Sequence, residues 1–189
     1  MSTGDGNQGN GTGRRAVVGA LLGLSLLTAT DALALPKEGA DAPSAKVSDV
    51  DGKTLDPTTL KGKPVLIVYE DKDSAKQNQA LKDELAKLAK GDKYKNKVAI
   101  AAIADVSAFD FWPAKGFVID ALRGEAKKAG IPIYCDWTGA FRKAYGMQRS
   151  TSNVVLVDKQ GKVLFARSGP LAAADRQKLL SLLQKQVEG

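Results

Sequence analysis

PVLIVYEDKDSAKQN, residues 64–78, decides how this chain is read. Pro64 to Tyr69 is apolar on both faces, as a central strand covered on both sides requires. Charged residues follow, and then a helical pattern in which Leu81, Leu85 and Leu88 fall on one stripe before Gly91. Ser74-Ala75-Lys76-Gln77 stands at the junction and fits Ser-x-x-Gln, a capping box. The Ser74 hydroxyl is expected to accept from the backbone N–H three residues on, and Gln77 to reach back to the Ser74 N–H. Asp71 and Asp73 add negative charge at the positive end of that helix. A cation or polar ligand held by Glu70, Asp71 and Asp73 is the chemical alternative at the same place.

Outward from this junction, strands and helices alternate. Residues 46–56 read as a hairpin turning at Asp51-Gly52. Residues 97–106 form a second buried strand, and 113–130 a helix weakened by Gly116 and Gly124. A short strand, 131–135, ends in the turn Asp136-Trp137-Thr138-Gly139, and a short helix, 140–146, closes on Gly146. Residues 153–158 and 163–167 pair as a hairpin across a tight turn. A terminal helix, 172–187, turns Leu179, Leu180, Leu183 and Val187 inward. This order predicts an α/β domain, a central mixed β-sheet flanked by helices on both faces, with right-handed parallel βαβ units.

The domain division expected is an export signal at 1–34, a linker at 35–45 and one folded domain at 46–189. Arg14-Arg15 precede an apolar stretch of about 15 residues, shorter than the roughly 20 a spanning helix needs. Ala32-Leu33-Ala34 then offers a small-residue cleavage site. Ordinary secretory export and twin-arginine export fit equally. The expected location is the periplasm or outside the cell, with no stable membrane span after cleavage.

Of 189 residues, 28 are basic and 21 acidic, a formal net charge of +7. The segment expected to be removed carries Asp5, Asp31, Arg14 and Arg15, so the mature domain keeps that excess. The lysines are dispersed and no nucleic-acid motif is present, so no nucleic-acid partner is expected. An anionic lipid or glycan surface remains open. The chain has one cysteine, Cys135, and no histidine. One cysteine closes no internal disulfide, and without histidine there is no Ser-His-Asp or Cys-His triad and no zinc site of the usual kind. No cofactor and no metal are expected.

The order of elements, with its punctuation, resembles the thioredoxin-like fold in its redoxin form, shared by the alkyl hydroperoxide reductase/thiol-specific antioxidant group. Gly39-Ala40-Asp41-Ala42-Pro43 is similar to the usual opening. Leu60-Lys61-Gly62-Lys63-Pro64-Val65-Leu66 is similar to the loop and strand before the active helix. Asp136-Trp137-Thr138-Gly139-Ala140-Phe141 through Ala144-Tyr145-Gly146 resembles the middle insert. Val157 to Val163, with Gly169-Pro170-Leu171, resembles the final hairpin. Within that superfamily the chain looks closest to the YtfJ-like exported proteins, through Ser74-Ala75-Lys76 and the run Ser152 to Lys159.

The resemblance implies a reactive cysteine at the start of the helix, where free N–H groups and the helix dipole lower its pKa. Ser74 and Gln77 stand at the two positions of Cys-x-x-Cys. Ser152 stands where the family has a cis-proline; a trans bond is expected there, because a cis bond before another residue costs about 2.5–4 kcal/mol. The implied site is degenerate, with no confident catalytic residue. The expectation is a redox-inactive binding or scaffold module of the cell envelope, its partner an envelope protein or small ligand. Its binding face would comprise Asp71, Asp73, Lys76, Phe109, Phe111, Trp112 and Asn153, with residues 107–113 as the exposed loop. A one-cysteine thiol peroxidase or oxidoreductase, an antioxidant using Cys135, is the enzymatic alternative. Attachment to anionic lipid or glycan through the basic surface is the third.

Overall fold

The structure, a computed structural model, describes residues 34–189 apart from 92 and 95. The expected export segment lies outside the described residues except for Ala34. The elements, in chain order, are β1 (Val47–Asp49), β2 (Thr54–Leu55), β3 (Val65–Glu70), α1 (Gln79–Ala89), β4 (Ala99–Asp105), α2 (Ala114–Ala129), β5 (Ile133–Asp136), α3 (Ala140–Ala144), β6 (Asn153–Val157), β7 (Val163–Ser168) and α4 (Ala173–Glu188). Single 3-10 turns sit at Pro57–Thr59 and Ser107–Phe109.

All strands join one mixed sheet in the order β2-β1-β5-β4-β3-β6-β7. β3, β4 and β5 are parallel neighbours, while β6 runs antiparallel to β3 and β7 to β6. β3 lies at the centre, and its alternation divides the interior. Val65, Ile67 and Tyr69 point into one core, Leu66 and Val68 into the other, following the two-residue period of a strand. The first core is closed by Phe141 of α3 with Tyr145, Met147 and the partly buried Leu35 and Leu60. Phe141 stacks between Tyr69 and Tyr145, with centroids 6.0 and 4.5 Å away. The second core is closed by Leu81 and Leu85 of α1 and Leu179 and Leu183 of α4. Helices therefore cover both faces, as the alternation predicts.

Among the described residues, both cores draw on residues from Leu35 onward, and a chain beginning at Leu35 keeps all of these. Gly146 ends the turn after α3 with φ +58, and an added Cβ would run into the backbone of Ala34. A side chain is excluded there both by conformation and by that close approach. Among the described residues, no helix is long and apolar enough to cross a membrane.

One expectation is corrected. α1 begins at Gln79, not at Ser74, and Ser74–Gln77 forms no capping box. The Ser74 hydroxyl turns back to Asp71, and Gln77 and Asn78 are drawn to distant segments. Asn78 accepts from the Leu171 N–H at 2.8 Å and donates to the Gly169 carbonyl at 3.1 Å, tying the helix start to the approach to α4.

Candidate functional site

The strand-to-helix junction is a closed polar network. Oδ1 of Asp71 accepts from the Ser74 N–H at 3.0 Å, the Ser74 hydroxyl at 2.8 Å and the Asp73 N–H at 3.2 Å. Its Oδ2 accepts from the Ser150 N–H at 2.6 Å. Ser74 is 0% exposed, and its Oγ also accepts from the Asp71 N–H at 2.9 Å. Gln77 reaches across rather than back. Its Oε1 accepts from the Ser152 N–H at 3.0 Å and its Nε2 donates to the Ser150 carbonyl at 3.2 Å. The Ser152 hydroxyl donates to Glu70 at 2.8 Å, and the other Glu70 oxygen pairs with Lys82 at 2.5 Å.

Burial works to raise the Asp71 pKa, but the hydrogen bonds from Ser74, Ser150 and Asp73 prevail and hold it below its ordinary value. Ser150 sits at φ +54, a left-handed conformation unfavourable for a non-glycine residue, and the Asp71 bond holds it there. The peptide bond before Ser152 is trans; among the described residues the cis bond is Trp112–Pro113. Gln77→Ala is expected to cost about 1–2 kcal/mol, because it orphans the buried Ser152 N–H. Faster amide exchange confined to Ser150–Ser152 is the measurement that checks it.

The network continues to the 107–113 segment. Arg149 donates to the Ser107 hydroxyl at 3.2 Å, and Ser107 donates to Asp105 at 2.6 Å. Phe109 is half-buried, and Phe111 and Trp112 are 58% and 91% exposed. Asp71, Ser74, Gln77 and Ser152 are thus brought together, with Asp73 and Lys76 exposed at the rim and Ser107 joined to Arg149, the neighbour of Ser150. Asn153 is the exception among the expected face residues. It is 0% exposed, and its side chain serves Gln148, Thr151 and Ser168. Beginning β6 commits it to the interior. Glu70 is likewise no open ligand, since Lys82 and Ser152 occupy its oxygens.

A second cluster was not foreseen from the sequence. The ends of the parallel strands β3, β4 and β5 carry Tyr69, Asp105 and Asp136, with Asp105 directly opposite Asp136. Asp136 accepts from the Tyr69 hydroxyl at 3.1 Å and the Arg142 N–H at 3.0 Å. Arg142 Nε lies 3.3 Å from Asp105, an ion pair not aligned as a hydrogen bond. Burial, with Asp136 and Asp105 beside it, pushes the Tyr69 hydroxyl far above its usual range. Asp105 and Asp136 each end a parallel strand, but Tyr69 stands one residue before the end of β3, so strand ends alone do not mark the cluster.

Cys135 lies in β5 between Ser48 and Ala104, 3% exposed. Burial, with Asp49 as a second cause, pushes its thiol up to about 11. The sequence-near arginines are engaged elsewhere, Arg142 with Asp105 and Arg149 with Ser107. At pH 8 the thiolate fraction falls roughly 100-fold below that of an ordinary cysteine of pKa ≈ 8.5. A disulfide reagent is therefore expected to label the native protein at least about 100-fold slower than the urea-unfolded chain. Comparable rates would mean the thiol is open.

This sheet order, with helices on both faces and a hairpin before the terminal helix, defines the thioredoxin-like class. Solved structures agree at the level of fold. A putative thiol:disulfide interchange protein DsbE from Chlorobium tepidum has a TM-score of 0.58 at 20% identity, over 79% of this chain and 99% of that one. The exposed lipoprotein thioredoxin Etrx1 of Streptococcus pneumoniae gives 0.55 at 20%, over 75% and 98%. A thiol peroxidase from Chromobacterium violaceum gives 0.56 at 17%, over 80% and 88%. A search of curated proteins matched none. Residues 43–186 match the family described as "Bacterial protein of unknown function (YtfJ_HI0045)", and the chain belongs to that family.

Proposed function

We propose that this protein is an exported, redox-inactive binding module of the cell envelope, built on a thioredoxin-like frame with a degenerate site. The observation that carries this reading is the use made of Ser74 and Gln77. At the two positions where the fold's redox members are expected to hold cysteines, both side chains are spent joining the junction to its own surroundings. The Ser74 hydroxyl is fully buried and 2.8 Å from a carboxylate, with no histidine in the chain to activate it. The lone thiol is buried on another element. The face formed by the Asp71–Gln77 rim, Ser150–Ser152 and the 107–112 segment would carry the interaction. The export reading of residues 1–34 supports an envelope location.

The test is turnover. The chain from Leu35 and its Cys135→Ser variant are followed for peroxide consumption with excess dithiothreitol and for insulin reduction. Neither is expected to turn over. Activity in the parent alone would move the chemistry to Cys135 and overturn the reading.

A further inference from the structure

We propose that the amino-terminal end of α2 is a bilayer-contact surface, on which Phe111, Trp112 and Phe117 enter the boundary between lipid headgroups and acyl chains. This rests on the reading of the 107–113 segment as a binding loop and names what the loop binds. Phe111, Trp112 and Phe117 are the large hydrophobic residues left exposed among those described, at 58%, 91% and 72%. They fall together, in the loop before α2 and in its first turn. α2 itself has no buried residue in its 16, whereas α1 and α4 each bury a stripe. Its inward stripe, Val118, Ile119 and Leu122, is only half-buried, and Phe117 stands outside that stripe in solvent.

The size and chemistry of the patch choose its occupant. At roughly 150–250 Å² per aromatic side chain, the three exposed fractions amount to on the order of 450 Å². That is the size of the largest apolar patch on a typical monomer, about 300–600 Å², a patch that is often functional. It is about half of the ≈ 800 Å² per partner that a stable protein–protein contact or dimer buries. A membrane interface demands no shape-matched partner, and a Trp/Phe cluster beside lysines is the composition of interfacial anchors. The charges agree. Asp110 is paired with Lys115 at 2.6 Å, Asp120 with Arg123 at 3.2 Å and Glu125 with Lys128 at 2.7 Å. The acids beside the patch are therefore matched locally, so the patch meets an anionic leaflet without local repulsion, and the net charge of +7 over the whole chain is attracted to such a surface.

Because the ions near the wedge are already paired, contact is apolar in origin, and this separates the proposal from simple electrostatic attachment. The experiment uses the chain from Leu35, which retains both cores and lacks the apolar stretch at 16–30. Trp137→Phe leaves Trp112 as the one tryptophan of an original two. Vesicles of phosphatidylethanolamine and phosphatidylglycerol are prepared with and without brominated acyl chains. Trp112 emission is expected to shift to the blue, to be quenched by the brominated lipid and to be shielded from iodide. Phe117→Ser, at an exposed position, is expected to weaken partitioning about tenfold, with high salt reducing it far less.

Three results would overturn the proposal. Trp112 could stay open to iodide in the presence of vesicles. Binding could be unchanged by Phe117→Ser and abolished by salt, which would place it on lysines elsewhere. Trp112 could become shielded with protein concentration in the absence of lipid, which would make a second copy the occupant. None of these touches the redox reading, which the turnover assay tests separately.

Discussion

Arg142→Met is expected to destabilise the domain by about 3–5 kcal/mol and to lower Tm by roughly 10 °C. Arg142, Asp105 and Asp136 are 9%, 8% and 3% exposed, and the guanidinium supplies the positive charge beside Asp105. Removing it leaves a buried carboxylate with only Ser107 as a described hydrogen-bond partner, at 2.6 Å through its hydroxyl and 3.1 Å through its N–H. An uncompensated charge is costlier than a missing pair. The double variant Asp105→Asn with Arg142→Met is therefore expected to recover most of the loss, although it deletes more polar groups than the single change. Urea unfolding of the four proteins in the cycle gives the coupling energy directly. A single-variant cost below about 1 kcal/mol would mean that water reaches the cluster and that it does not hold the strand ends together.

The central strands were legible because each is a short, nearly continuous apolar run between turn residues, and β3 shows it best, whereas β1 and β2 were marked by the Asp51-Gly52 turn between them. The alternation of β3 also assigned the two cores, since Ile67 and Leu66 must face opposite ways. The start of α1 was not legible, for a physical reason. Ser74-x-x-Gln77 satisfies a local rule, but Gln77 bonds Ser152 across 75 residues and Asn78 bonds Leu171 across 93. Such tertiary partners outcompete a local cap without leaving a trace in the local sequence. The same limit applies to the strand-end cluster. Tyr69, Asp105 and Asp136 become neighbours only once the register of three parallel strands is known. Asn153 was misread as a surface residue because its polarity was visible and its four hydrogen bonds were not. Residues 107–113 were read as an exposed binding loop, and in the structure Phe111 and Trp112 are exposed there while Phe109 is half-buried.

Asp71→Ala is expected to cost about 2–4 kcal/mol at neutral pH, since one carboxylate accepts from Ser74 twice, from Asp73 and from Ser150. The effect has a definite pH dependence. The folded-state pKa of Asp71 lies below its unfolded value, so the charged form favours the folded state. Its contribution is complete above the ordinary Asp value of about 3.9 and is lost as pH falls through the depressed value. The stability gap between parent and variant should therefore be constant near neutrality and narrow in acid. Urea unfolding at several pH values measures that gap. Amide exchange at Ser150, whose N–H loses its acceptor and whose φ of +54 loses its restraint, reports the local opening. The two readouts together decide what the junction is. A large cost with exchange quickened around Ser150 means that Asp71 holds Ser74 and the 150–152 segment shut, so that the serine meets neither solvent nor substrate. A cost under about 1 kcal/mol with exchange unchanged would mean that the junction is open in solution, and the case for a chemically silent site would lose its main support.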